Sequence, residues 1–205
     1  MTGHLKVSEA AGVPFRLGEC NSVSDGGTAG VSDVFASALW GADFLFDLAE
    51  QGANGINFHG GFGDHGYTPL SFRDNHYRAH PLYYGMLLFH LAARGRVVPV
   101  ECQTTANVTA HAVLGDDGKL RVAIINKSLT QPVLASIASG STRMKAEVVR
   151  LTAPSVVAKD GVMLAGSAVR ADGVWMPQSG EPAARVNGQF ELSVPAASAA
   201  MLTIE

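Results

Sequence analysis

The 205-residue sequence predicts an α+β chain in two parts. Residues 1–95 read as the final two βα units of a partial (β/α)8 barrel, and residues 96–205 as an antiparallel β-sandwich. Three observations predict this. Up to about residue 95, short apolar runs alternate with helical periodicity, the pattern of a parallel sheet or barrel. Beyond it, period-two runs alternate with Asp-Gly and Asn-Gly turn signals, the pattern of a sandwich. Two βα units cannot close a barrel of about eight strands, so the chain reads as a portion of a longer protein or one member of an assembly.

Taken in order, a short helical stretch at residues 5–11 runs into an apolar strand at 13–18, read as buried and ending in a carboxylate, Glu19. Ser32 is placed to cap a helix, and Asp33 suits its positive end. Phe35, Ala38, Leu39, Ala42, Leu45 and Ala49 then recur at helical spacing, and Gly52 marks the stop. Asp43, Asp47 and Glu50 fall on another face, read as solvated. Residues 55–59 form a second strand, and a glycine-rich, aromatic loop spans 60–80. Pro81 opens a packed helix over 82–93 that closes at Gly95. In the second part, runs at 107–114 and 120–126 flank Gly115-Asp116-Asp117-Gly118-Lys119, a hairpin. Runs at 144–151 and 189–194 alternate, with Phe190, Leu192 and Val194 on one face.

Composition excludes several classes. The chain is 47% hydrophobic and 16% charged, with mean hydropathy +0.15, enough to fill a core. A net charge of −3 and a pI near 6.1 leave no footprint for nucleic acid. Because apolar runs stay short of the ~18 residues of a span, no membrane partner is expected. Residues 1–12 lack the charged-then-apolar plan of a signal peptide, and no compartment can be read. Cys20 and Cys102 form no disulfide framework and read as small buried hydrophobes.

Glu19 is the first candidate for chemistry, since a carboxylate at a strand's carboxyl end faces a barrel mouth. The competing role is a rim carboxylate paired with Arg16. Asn21 and Ser22 either meet a sugar hydroxyl or only start the turn. Gly26 and Gly27 allow close backbone approach to an anion, or simply a flexible loop. Trp40, Tyr83 and Tyr84 read as packing residues, and Trp175 has no assigned role. His59, Asp64, His65, His76 and His80 match no ligand spacing, so neither metal nor other cofactor is expected.

Several segments together resemble glycoside hydrolase family 79, the β-glucuronidase and heparanase family. They are Phe15-Arg16-Leu17-Gly18-Glu19-Cys20-Asn21-Ser22, Asp25-Gly26-Gly27, Gly30-Val31-Ser32-Asp33, Phe35-Ala36-Ser37-Ala38-Leu39-Trp40, Gly55-Ile56-Asn57-Phe58-His59-Gly60-Gly61, Gly66-Tyr67-Thr68-Pro69, Pro81-Leu82-Tyr83-Tyr84-Gly85 and the tail Val194-Pro195-Ala196-Ala197-Ser198-Ala199-Ala200. The resemblance implies a (β/α)8 barrel with a β-sandwich beside it, cleaving β-linked glucuronic acid with retention. It maps the family's nucleophile onto Glu19. It maps donors to the substrate's carboxylate onto Gly66, Tyr67, Gly26 and Gly27, and it turns His59 into the same cleft. Neutral donors hold a carboxylate without a counter-ion that would lower the nucleophile's pKa. The family's acid/base is a Glu following an Asn on the fourth strand, and no Asn-Glu pair occurs here.

The expectation is therefore the C-terminal part of a retaining glycosidase, incomplete without a second carboxyl group. Its partners would be a glucuronic-acid-containing glycoside or polysaccharide, and either the rest of the barrel or a second copy of the chain. The alternative is a non-catalytic carbohydrate-binding or interaction sandwich with a vestigial barrel fragment.

Overall fold

The computed structural model of the chain describes residues 2–61, 63, 66–92, 94–140 and 145–205. In chain order the elements are α1 (Thr2–Ala10), β1 (Arg16–Cys20), α2 (Phe35–Glu50), β2 (Gly55–Phe58), β3 (Leu70–Arg73), β4 (His76–Ala79), α3 (Pro81–Ala92), β5 (Gly95–Val98), β6 (Val108–Gly115), β7 (Leu120–Asn126), β8 (Val133–Ile137), β9 (Ala146–Thr152), β10 (Met163–Leu164), β11 (Glu181–Pro182), β12 (Ala184–Val186), β13 (Gln189–Val194) and β14 (Ser198–Ile204).

The strands β1 and β2 pair in parallel, with α2 as the crossover between them. The other pairings are antiparallel. A large sheet runs in the order β10-β9-β14-β7-β6-β5, with β11 also on β9, and a smaller one runs β12-β13-β8. Side-chain alternation sends the large sheet's residues into two cores. Val122, Ile124, Ala200, Leu202 and Ile204 meet Phe190, Leu192 and Val194 of the small sheet. Ala123, Ile125, Ala199 and Met201 meet Phe35, Leu39, Ala42 and Phe46 of α2 and Leu88 of α3. The central strands are thus covered on both faces, which explains the nearly unbroken apolar run of β14. The helices α2 and α3 cross closely, since a Cβ on Gly85 would sit 2.1 Å from the Ala38 carbonyl oxygen.

Several sequence expectations are corrected. The run at 13–15 is not buried: Val13 is 59% exposed, and β1 begins only at Arg16. Ser32 does not cap α2. The N-cap position is Val34, with no side-chain cap, and the first free N–H groups are satisfied from the β-domain side. Phe35 N–H donates to the Ala158 carbonyl at 2.8 Å and Ala36 N–H to the Val156 carbonyl at 2.9 Å. A helix start buried against other backbone needs no local cap. The expected loop at 60–80 contains the hairpin β3–β4, turned by Asp74 and Asn75 at φ 51° and 60°, a tight turn that these residue types tolerate. Cys102 is exposed rather than buried.

Asp43 and Glu50 are not merely solvated. With Phe46 they lie on one stripe of α2 at i, i+3 and i+7 spacing, and both carboxylates meet His111 of β6. Trp175 gains a role: it packs on the helix-side core and donates its Nε1–H to the Leu164 carbonyl at 3.3 Å. Trp40 stacks on Phe44 with ring centroids 5.1 Å apart, as expected of a packing residue. Among the described residues, no helix is long and apolar enough to cross a membrane.

Candidate active site

Parallel pairing of β1 with β2 brings the carboxyl ends of both strands, and the loops that follow them, to one side. The register sets Arg16 against Gly55, Leu17 against Ile56 and Cys20 against Phe58, with an irregularity around Gly18 and Glu19. Glu19 is exposed, and its carboxylate has no hydrogen bond or ion pair with the described residues. The pairing with Arg16 is not made. The Arg16 guanidinium instead donates to Asn57 Oδ1 at 2.6 Å.

Asn21 is spent on the protein itself. Its Nδ2–H donates to the His59 carbonyl at 2.7 Å and lies 3.4 Å from the Tyr67 carbonyl, while its Oδ1 accepts the Ser22 N–H at 2.7 Å. One side chain thereby ties together the loops after β1 and β2 and the Gly66-Tyr67 segment. Ser22 extends this brace: its hydroxyl donates to Ser32 Oγ at 2.9 Å, and Ser32 Oγ accepts the Thr28 N–H at 3.0 Å. The buried Ser32 hydroxyl holds the glycine loop rather than starting the helix.

The expected glycines meet one another. A Cβ on Gly66 would fall 1.7 Å from the Gly26 carbonyl oxygen, and a Cβ on Gly27 would fall 2.9 Å from Ser32 Cβ and 3.0 Å from the Tyr67 nitrogen. All three glycines have positive φ, +60°, +88° and +91° for Gly66, Gly26 and Gly27. Close approach and positive φ together demand glycine at Gly27 and Gly66, and positive φ alone favours it at Gly26, whatever the loop binds. Tyr67 is mostly buried, and its hydroxyl hydrogen-bonds His59 Nδ1, whose ring is otherwise exposed and set edge-on to the tyrosine.

The residues predicted for the site thus fall into one neighbourhood with separable tasks. Glu19 and His59 present side chains to solvent, Tyr67 orients His59, Asn21 braces the loops, and Gly26, Gly27 and Gly66 let the backbones touch. His76 and His80 are engaged elsewhere, with the Asp74 carbonyl and the Ser71 hydroxyl, while Asp64 and His65 lie outside the described residues. Burial pushes the neighbouring Cys20 thiol up, so it is not poised as a thiolate. A hollow of about 630 Å³, lined in part by Ser8, Glu9, Phe15 and Glu50, lies at the amino-terminal end of β1, away from Glu19.

Residues 110–201 match the glycosyl hydrolase family 79 C-terminal beta domain. This stretch is similar to that domain over nearly all of the antiparallel part of the chain. Two curated proteins are also similar to parts of the chain. A beta-glucuronidase of Aspergillus niger is 31% identical over 123 residues, which is 56% of this chain and 22% of that protein. A beta-glucuronidase of Neurospora crassa is 39% identical over 57 residues, 28% of this chain and 10% of that protein. The chain therefore spans well under half the length of these curated relatives.

Among solved structures, a 4-O-alpha-L-rhamnosyl-beta-D-glucuronidase from Fusarium oxysporum, in complex with Rha-GlcA, superposes with a TM-score of 0.83 at 22% identity. The match covers 98% of this chain and 46% of that one. An alpha-L-arabinofuranosidase from Thermotoga maritima gives a TM-score of 0.71 at 16% identity, over 100% of this chain and 46% of that one. At these identities the likeness is one of fold, and it extends across both the βα units and the antiparallel sheets.

Proposed function

We propose that this chain is the C-terminal part of a retaining β-glucuronidase-like glycoside hydrolase, with two βα units of its (β/α)8 barrel and a β-sandwich. In this reading Glu19 is the nucleophile, and the loops around Gly26, Gly27, Gly66 and Tyr67 form part of a glucuronate pocket. The observation that carries it is the exposed carboxylate of Glu19 at the carboxyl end of a parallel strand, unpartnered among the described residues. The Arg16 guanidinium is spent on Asn57, and the Asn21 amide on two carbonyls. An ionised carboxylate with free oxygens is what attack on an anomeric carbon requires.

Retaining hydrolysis also needs a protonated carboxyl group about 5 Å away. By the resemblance, that group belongs to an Asn-Glu pair on an earlier strand. The isolated chain is then inactive, and the preceding βα units supply the acid/base while covering the open edges of β1 and β2. The substrate is a β-linked glucuronide, and catalysis passes through a glycosyl-enzyme ester at Glu19 that water hydrolyses with net retention. No metal takes part in this mechanism.

The test has two steps. The purified chain is assayed with an aryl β-glucuronide, with no turnover expected; turnover that survives Glu19→Gln would remove Glu19 from the role. In the protein carrying the preceding βα units, a 2-deoxy-2-fluoroglucuronyl fluoride should add one sugar mass to the peptide containing Glu19. Label on another carboxylate would assign the nucleophile elsewhere.

A further inference from the structure

The contact between α2 and the large sheet is closed by a cluster of charged side chains around His111, which is only 5% exposed. The His111 ring lies flat on Phe46, with centroids 5.0 Å apart and planes within 9°. Its Nδ1 is 2.7 Å from Glu50 Oε1, and its Nε2 is 3.0 Å from Asp43 Oδ1. An ionised carboxylate only accepts hydrogen bonds, so both ring nitrogens must donate, and a ring that donates twice is an imidazolium. The other groups facing this pair are Lys127, whose Nζ is 2.7 Å from Asp43 Oδ2, and the Thr109 hydroxyl, which also donates to Asp43. Two carboxylates thus face two cations across the seam. Loss of the ring proton would leave one nitrogen lone pair aimed at a carboxylate oxygen.

We propose that His111 is a protonation-dependent latch: as an imidazolium held between Asp43 and Glu50 it fastens α2 to the β-domain, and the fastening loosens when the ring is neutral. The helix it holds follows directly from the loop after β1, so the latch governs how firmly the Glu19-bearing unit is seated. It stands on its own geometry and does not depend on the glycosidase reading.

The direction of the linkage follows from the ring's surroundings. Burial by itself would lower the His111 pKa, but the hydrogen bonds to Asp43 and Glu50 outweigh it and raise the pKa above its ordinary value. A raised histidine contributes stability that is full below the unfolded value of 6.5 and is lost as pH rises through the folded value. The latch is therefore closed in mildly acidic solution.

Histidine ring NMR of the full chain, with the His111 signal assigned by its absence in His111→Gln, reads the proton directly. We expect His111 to titrate above the ordinary 6.5, and to titrate lower in Glu50→Gln than in the wild type. A His111 midpoint at or below 6.5 overturns the proposal. Thermal unfolding from pH 5 to 9 is the second reading. The wild-type midpoint should fall across this range, and His111→Gln should flatten that fall. An equal slope in both proteins also overturns the latch; if His111→Gln does not fold, the His111 signal is assigned by its cross-relaxation with the stacked Phe46 ring, and the wild-type titration decides the case.

Discussion

The parallel pair β1/β2 and the antiparallel strand β14 sit at opposite extremes of the same molecule. Of the seven residues of β14, six are buried; of the five in β1, none is. β14 has a neighbouring strand on each edge, a small sheet over one face and two helices over the other. β1 has β2 on one edge and the loop-bearing end open to solvent. One region is held by burial, while the other is held at a few points by side-chain braces and by the seating of α2. The proposed nucleophile, Glu19, thus lies on the less buried unit.

This comparison is open to attack in order of effect. In the protein with its preceding βα units, Glu19→Gln should lower kcat for an aryl glucuronide by about 10⁴ or more, the scale for loss of a nucleophile. Because the carboxylate touches no partner among the described residues, denaturant stability should move by no more than about 0.5 kcal/mol. A large destabilisation would show that Glu19 belongs to the scaffold after all.

Leu202→Ala, in the doubly covered sheet, should cost about 2–5 kcal/mol in urea unfolding. Leu17→Ala in β1 should cost about 1 kcal/mol or less, because that side chain is only half-buried. Equal losses at the two sites would erase the distinction between the regions.

The two bracing asparagines give a finer test. Asn126 is fully buried, with its Nδ2 within 3.2 Å of the Gln131, Val194 and Pro195 carbonyls. Removing it leaves buried acceptors unpaired, so Asn126→Ala should cost about 2–3 kcal/mol. Asn21→Ala, at a wetter site, should cost about 1 kcal/mol. Its clearer signature should be faster hydrogen exchange in the loops around Gly26 and Gly66.

The smallest expected effect is at the acid limb. Burial alone would raise the Asp43 pKa, but hydrogen bonds from His111, Lys127 and Thr109 hold the carboxyl down at about 2. A depressed carboxylate contributes stability above its ordinary 3.8 that is lost as pH falls through about 2. Together with His111, this places the firmest α2 seating between about pH 4 and 6.5. Unfolding midpoints between pH 4 and 2 should therefore fall less steeply in Asp43→Asn than in the wild type.

Much of this was written locally in the chain. The hairpin of β6 and β7 was legible from alternating apolar residues around Gly115-Asp116-Asp117-Gly118-Lys119, and β13 from its period-two pattern, because both depend on neighbouring residues. The neighbourhood of Glu19, His59, Gly26 and Gly66 was legible as well, since βα succession sends successive strand ends to the same side. The hairpin of β3 and β4 was hidden inside a glycine-rich segment, although Asp74-Asn75 was its available signal. For the cluster at His111, the signal was a histidine within an apolar strand and two carboxylates spaced around Phe46.

By itself, then, the sequence determined the order and type of most elements, the turns, and the family likeness of the β-domain, all of which rest on residues close together in the chain. Only the tertiary structure decided that α2 is capped by carbonyls at 156 and 158 instead of by Ser32. Only it decided that Arg16 answers Asn57 and leaves Glu19 free, and that Asp43 and Glu50 grip His111. Each of those outcomes joins groups far apart in sequence. Whether a polar group is solvated, capped or paired depends on what lands beside it, and spacing along one element carries no record of the partner across the seam.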